Sequence, residues 1–227
     1  GNYKDDRMEA LSNHGNGIAA YIDSLAEARK VLVEQAAGTL LTVAKDVKVQ
    51  VEFNPEHVSS YRLIGYANRM LVQEDFRDDK KDAGDMGTGH AVTALYEVVP
   101  RSGSQKRIAQ TLRYRDQKAV PKLRHELLAL KVRYKVPKTQ EVTEMERVLV
   151  DHELTLEQTS PMFRFSAAVA GFGMLLSNSK YRGSCTYASI LQLAKDALSE
   201  DVHGYRRSFL ELVIKAKALS ELSQLRH

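Results

Sequence analysis

Residues 128–136 alternate strictly: Leu128, Leu130, Val132, Tyr134 and Val136 fall on one side, and Ala129, Lys131, Arg133 and Lys135 on the other. A period of two marks a half-buried strand, because successive side chains leave a strand on opposite faces. The pattern recurs at 47–53, where Val47, Val49, Val51 and Phe53 alternate with Lys48, Gln50 and Glu52. Further strand candidates lie at 61–66, 90–99, 108–114 and 147–154. Asn54-Pro55, an acidic loop at 74–89 and a polar linker carrying Pro121 punctuate them. Strands in series with no helical period between them predict an antiparallel sandwich or open barrel.

The flanks read differently. Asp5 and Asp6 open a helical stretch that ends near His14, and Gly15 and Gly17 bracket a turn. Residues 18–22 form a short apolar strand candidate. Ser24 followed by Glu27 fits a capping box, and Leu25, Ala28 and Leu32 then share one helical face. After Thr159 the helical period returns, with Ser160-Pro161 as its start. Helices are expected at 163–176, 187–198 and 205–219. In the last, Tyr205, Phe209, Leu212, Val213, Ala216 and Leu219 share a face. The expected fold class is therefore α+β: a helix–strand–helix segment at 1–37, a β-rich domain at 38–158, and a helical segment at 159–227 that packs on the β-rich domain.

Composition narrows the function classes. The 227 residues are 43% hydrophobic and 27% charged, an ordinary globular balance, and the net charge of +4 is too mild to imply a polyanion partner by itself. The longest nearly apolar run, 165–176, is too short to span a bilayer, which takes about 20 residues. A single cysteine, Cys185, excludes an internal disulfide and any multi-cysteine metal site. The chain opens at Gly1 with no signal peptide and is read as a piece of a longer protein.

No motif completes a catalytic site. The histidines (His14, His57, His90, His125, His152, His203 and His227) are scattered. His125-Glu126 and His152-Glu153 begin like a zinc-protease helix, but the second ligand position holds Ala129 or Leu156. Asp75, Asp78, Asp79, Asp82 and Asp85 miss the calcium-loop spacing and are interleaved with Arg77, Lys80 and Lys81, so a solvated mixed-charge loop is the better reading. Gly15-Asn16-Gly17 follows a helix and precedes a strand candidate, the reverse of a dinucleotide turn. Ser177-Asn178-Ser179-Lys180 lacks the Lys-Thr-Gly partner of penicillin-binding enzymes and reads as a helix-ending loop. No catalytic, cofactor-binding or metal-binding residue is assigned.

Charge is laid out in blocks. Residues 101–138 hold twelve Lys/Arg and two acids, whereas residues 140–157 hold six acids and one base, Arg147. A basic stripe with Tyr114 and Tyr134 interleaved is the pattern of a polyanion-binding surface. The simpler expectation is that adjacent blocks of opposite sign neutralise each other on neighbouring strands, so nucleic acid is not the favoured partner.

Several stretches carry a resemblance. Gly1-Asn2-Tyr3-Lys4-Asp5-Asp6, Gly15-Asn16-Gly17 and Tyr21-Ile22-Asp23-Ser24 resemble the closing section of a von Willebrand factor A domain, of the YfbK type of bacterial protein. The C-terminal region of that family is similar to Lys45-Asp46-Val47-Lys48-Val49-Gln50-Val51-Glu52-Phe53-Asn54-Pro55 and to Tyr61-Arg62-Leu63-Ile64-Gly65-Tyr66. It is similar again at Thr93-Ala94-Leu95-Tyr96-Glu97, Leu130-Lys131-Val132-Arg133-Tyr134-Lys135 and Phe172-Gly173-Met174-Leu175-Leu176. The A-domain metal loop, Asp-x-Ser-x-Ser, is not in this sequence, so the resemblance puts the divalent metal upstream and assigns no ligand here. It implies a cell-envelope or periplasmic protein. The expected function is non-enzymatic: a protein-interaction or assembly module, with an unidentified protein partner and self-association through 1–37. A polyanion-binding module using the 101–138 stripe and an enzyme with an unrecognised site are the alternatives.

Overall fold

The computed structural model describes residues 4–15, 17, 19–65, 73–78, 81, 83–101, 125–198 and 201–224. Its helices are α1 (Asp5–His14), α2 (Leu25–Arg29), α3 (Ala36–Leu40), α4 (Pro161–Leu176), α5 (Tyr187–Lys195) and α6 (Tyr205–Gln224). Its strands are β1 (Thr42–Phe53), β2 (Val58–Ile64), β3 (Gly84–Gly87), β4 (Leu95–Pro100), β5 (Glu126–Lys135) and β6 (Val142–Val150). The mixed α+β class is as the sequence predicts. The chain divides into two compact units, one of Gly1–Ser60, Ala67–Val92 and Val99–Val150, the other of Tyr61–Tyr66, Thr93–Val98 and Asp151–His227.

The first unit is built on a four-stranded antiparallel sheet in the order β3-β1-β5-β6. The β1–β5 register runs unbroken from Lys48↔Arg133 to Phe53↔Leu128. Near Lys45 both of β1's ladders slip, and Asp46 sits at φ 51°. Aspartate tolerates this left-handed backbone better than a bulky residue does, so the bulge falls on it. β3 was not visible in the sequence, where Gly84-Asp85-Met86-Gly87 carries no strand propensity and forms a strand only through its pairing to β1. α3 packs on its face: a Cβ on Gly87 would lie 1.4 Å from the Gly38 carbonyl oxygen, so only glycine fits this approach.

Two expectations need correction here. The strand expected at 18–22 does not form, since residues 19–23 lie outside any regular element and Ile18 falls outside the described residues. No described strand lies beside this segment, and a strand exists only through its partner. The second concerns β1, whose valine face was expected inside and lysine face outside. Lys48 is 3% exposed and Val49 is 56% exposed. Turn residues 75–78 supply carbonyls to Lys48, which reverses the burial locally. The strand candidate at 108–114 lies outside the described residues.

The N-terminal helices follow their caps. Ser24 accepts from the Glu27 amide at 3.2 Å, while the Glu27 carboxylate pairs with Lys30 at 2.9 Å. α2 then widens into a π turn over Lys30–Glu34, closed by the Gln35 amide on the Lys30 carbonyl at 2.9 Å. Leu25 and Leu32 of the apolar face stay exposed.

β2 and β4 form a separate two-stranded antiparallel ribbon. At one end the Arg101 amide donates to the His57 carbonyl at 2.7 Å. In the second unit, Arg62 Nε donates to Glu97 at 3.0 Å and its guanidinium lies 4.2 Å from the Tyr181 ring centre. Burial of Tyr96 and the nearby Tyr61 phenol push the Tyr96 hydroxyl above its ordinary range.

The helices of this unit share one core: Ala168 and Phe172 of α4, Ile190 and Ala194 of α5, Leu210 and Val213 of α6. Phe209 meets Phe172 and Phe165 edge-on at 5.5 and 5.3 Å. Each helix start is capped by a side chain. Ser160 accepts from the Phe163 amide at 3.1 Å, Thr186 from Ser189 at 3.1 Å, and Asp201 from Arg206 and Arg207 at 3.1 and 2.9 Å.

Candidate functional site

The polar residues of the first unit gather where β1 bulges. The bulge turns the Asp46 carboxylate towards β5, where it accepts from Lys135 Nζ and from the Ala83 amide at 3.4 Å. The Asp46 amide in turn donates to the Asp85 carboxylate at 3.1 Å. Lys48, two residues on, donates to the carbonyls of Asp75, at 3.1 Å, and Asp78. The Asp75 carboxylate pairs with Lys81 at 3.3 Å. A shallow depression of about 180 Å³, open to solvent, is lined by Asp46, Lys48, Arg133, Tyr134, Lys135 and Val142. Asp46 pairs with Lys135, the Lys48 ammonium is taken by the Asp75 and Asp78 carbonyls, and Arg133 stands beside Glu144. The Asp46 contacts lock the bulge, and Lys48 holds the turn after Gln73–Phe76 onto the sheet.

The acidic loop therefore splits its work. Asp75 and Asp78 bind Lys48 through their backbones, and Asp85 takes the bulge amide. Asp79 and Asp82 lie outside the described residues. Among the described residues, no group of three or more His, Cys, Asp and Glu side chains is placed to hold a metal ion. His57 contributes a backbone carbonyl, His90 lies against Gly38, and His203 stacks on Tyr205 at 5.5 Å. Gly15 and Gly17 close the end of α1 with amides on Leu11 and Ser12 carbonyls at 3.1 and 2.8 Å. Ser177 returns its hydroxyl to the Gly173 carbonyl at 2.9 Å, as a helix-ending residue does.

In the described part of the basic stripe, Arg133 stands opposite Glu144 with Nη1 3.6 Å from Oε2, and Lys131 stands opposite Glu146. These two positions show the cross-strand complementarity expected from the opposite charge blocks. Lys135 instead binds Asp46 of β1. The part of the stripe at 102–124 lies outside the described residues.

The other face of the same strands is largely apolar, with Arg147 opposite Leu130 as its charged member. Val49, Val132 and Met145 form one row across β1, β5 and β6, and Phe53, Leu128 and Leu149 form another. Met145 and Leu149 are each 49% exposed. Every residue of β6 except Thr143 is exposed. β6 ends the sheet, so its outer backbone groups have no strand neighbour among the described residues. The sequence showed alternation at β5 and opposite charge after it; edge position is a property of topology and carries no local signal.

Comparison with known proteins bears on 182 of these residues or more. The family described as "Uncharacterized protein YfbK, C-terminal" matches residues 38–219. The chain is 40% identical to "Uncharacterized protein YfbK" of Escherichia coli (strain K12) over 227 residues, covering 98% of this chain and 38% of that protein. The chain thus spans well under half the length of this curated relative. No solved structure matches.

Proposed function

Because the chain belongs to the YfbK C-terminal family, we propose that it is a non-enzymatic module for protein interaction or assembly within a von Willebrand A-type protein of the cell envelope. The observation that carries this reading is the uncovered rim of the four-stranded sheet, where β6 presents Met145, Val148 and Leu149 to solvent at the end of the sheet. Exposed apolar side chains beside an open strand edge are what a protein partner covers. Within the same sheet Arg133 pairs with Glu144 and Lys135 with Asp46, a structural use of charge that supports this reading. The A-domain assignment of residues 1–37 and the envelope location rest on the resemblance of the Gly1–Asp6, Gly15–Gly17 and Tyr21–Ser24 stretches. Self-association through residues 1–37, with Leu25 and Leu32 as its apolar contacts, belongs to the same proposal.

The test is site-specific photo-crosslinking in cells, with the crosslinker at Met145 or Leu149 and, as the control, at Gln50 on the opposite face. A discrete protein adduct from the first two positions is expected. If neither position gives an adduct, the module reading fails.

A further inference from the structure

The two edges of the four-stranded sheet are treated differently. β3 is four residues long, slips register twice against β1, and is bounded by Gly84 and Gly87. The Gly38 backbone of α3 lies on its face at Gly87, and the Thr88 amide donates to the Leu41 carbonyl at 2.8 Å, continuing the pairing to β1. Shortness and irregularity are devices by which natural sheets blunt an edge. β6 is more than twice as long, and its ladder with β5 shifts only at the Val150 end. Its nine residues include no proline, glycine or lysine. Its register with β5 is unbroken from Leu128↔Leu149 to Lys135↔Val142. A long, regular edge offers evenly spaced amide and carbonyl groups to an incoming strand.

Resting on the reading of the chain as an interaction module, we propose that the outer edge of β6 accepts an extended segment of a partner protein as a fifth strand, the segment alternating basic and apolar residues. The alternation follows from the two faces of β6. Glu144 and Glu146 share one face with Val148, and Met145 and Leu149 share the other, with Arg147 between them. Residues 140–157 carry six acids against one base, so the neighbourhood favours a cationic segment. Arg133 and Lys131 approach the two glutamates from the β5 side, leaving the far side for the incoming bases.

A second copy of β6 does not fit. Antiparallel neighbours share a face, so even-numbered residues meet even and odd meet odd. Self-pairing centred on Glu146 puts Glu146 against Glu146. Centred on Met145 it puts Glu144 against Glu146, and centred on Arg147 it puts Arg147 against Arg147. These registers give the most overlap, and each sets like charges directly opposite, which destabilises a strand pair.

The experiment uses the intact chain and a fluorescein-labelled, N-acetylated decapeptide alternating lysine and valine. Fluorescence anisotropy measures binding, and amide hydrogen exchange locates it. Saturable binding with slowed exchange confined to 142–150 is expected. A decapeptide alternating glutamate and valine is expected not to bind, nor one whose alternate valines are N-methylated. Glu144→Lys with Glu146→Lys should weaken binding roughly tenfold or more, and Glu144→Gln with Glu146→Gln less, in variants that retain the parent melting temperature. Equal binding of the N-methylated peptide means charge attraction alone and overturns the proposal. So does binding with protection elsewhere, or none at all. If 142–150 of the free chain is already protected as strongly as β5, another part of the chain holds the edge. Protection that rises with protein concentration means a second copy holds it, and either result overturns the proposal. Should the peptide fail while Met145 or Leu149 still crosslinks to a discrete protein, the strand-addition idea is wrong and the module reading stands.

Discussion

The Lys48 ammonium donates to the main-chain carbonyl of Asp75 at 3.1 Å, from a side chain that is almost wholly buried. A lysine buried among carbonyls holds a turn much as a bound cation would, and its removal leaves acceptors without a donor. Lys48→Met keeps the apolar stem and deletes the donor. It is expected to destabilise the protein by about 1–3 kcal/mol, read from chemical denaturation. Exchange should accelerate first at 73–78. An unchanged midpoint with unchanged exchange there would remove Lys48 from this role.

Arg133 and Glu144 set a smaller scale. Their side chains are 20% and 34% exposed and the contact is 3.6 Å. A double-mutant cycle with Arg133→Ala and Glu144→Ala is expected to return a coupling of about 0.2–1 kcal/mol, shrinking as salt is raised. Coupling above that range, or coupling insensitive to salt, contradicts the picture of a solvated cross-strand pair.

The sequence revealed most where one element decides its own period. β5, with its nine-fold alternation, and α4, α5 and α6, with apolar faces and capping residues, emerged within a few residues of their expected limits. Ser160 and Ser24 cap as their positions suggest, because a cap is a local bond between residues three apart. What stayed hidden is tertiary. β3 is a strand only because β1 lies beside it, and Lys48 is buried only because residues 75–78 close over it. Segment 19–23 has the apolar composition of a strand without a described partner, and composition alone does not pair. For the interaction surface, the sequence showed charge and alternation on neighbouring strands. It did not show that β6 ends the sheet.

Asp201 caps the start of α6 by accepting from the Arg206 and Arg207 amides at 3.1 and 2.9 Å. Burial alone would raise its carboxyl; the two amide hydrogen bonds and the adjacent guanidinium charges outweigh it and hold the carboxyl below the ordinary aspartate range. A lowered folded-state value means the stabilisation is present above the unfolded aspartate range, near pH 4, and is lost as pH falls through the folded value. Asp201→Ala is expected to cost about 1 kcal/mol at neutral pH, with the gap between variant and parent closing below pH 4. Thermal melts of both proteins from pH 3 to 7 check this, and a gap that persists at the acid end refutes the assignment.

Divalent cations face occupied acids. Lys135 holds the Asp46 carboxylate, Lys81 holds that of Asp75, and Asp85 is engaged by the Asp46 amide. A magnesium or calcium ion would have to displace these partners before collecting the several oxygens it needs. Calorimetric titration of the chain with either ion is expected to show no micromolar binding, and its melting temperature should not respond to chelator. Micromolar affinity for either ion would be incompatible with the cofactor-free reading.

Residues 1–37 carry the last prediction. Leu25 is 88% exposed, with Leu32 and Val33 beside it on the same stretch of helix, so this segment leaves apolar area in water that costs about 25 cal/mol per Å². Pairing two copies covers both faces at once, which is why two-fold association is the economical solution for an uncovered helix. Light scattering of the intact chain is expected to give a mass that rises towards a dimer with concentration. Leu25→Glu with Leu32→Glu should return it to the monomer while leaving the melting temperature within a few degrees of the parent, since neither side chain is buried in the single chain. A chain starting at Gly38 should run as a monomer likewise. Monomeric behaviour of the intact chain at high concentration would rule out association through this segment.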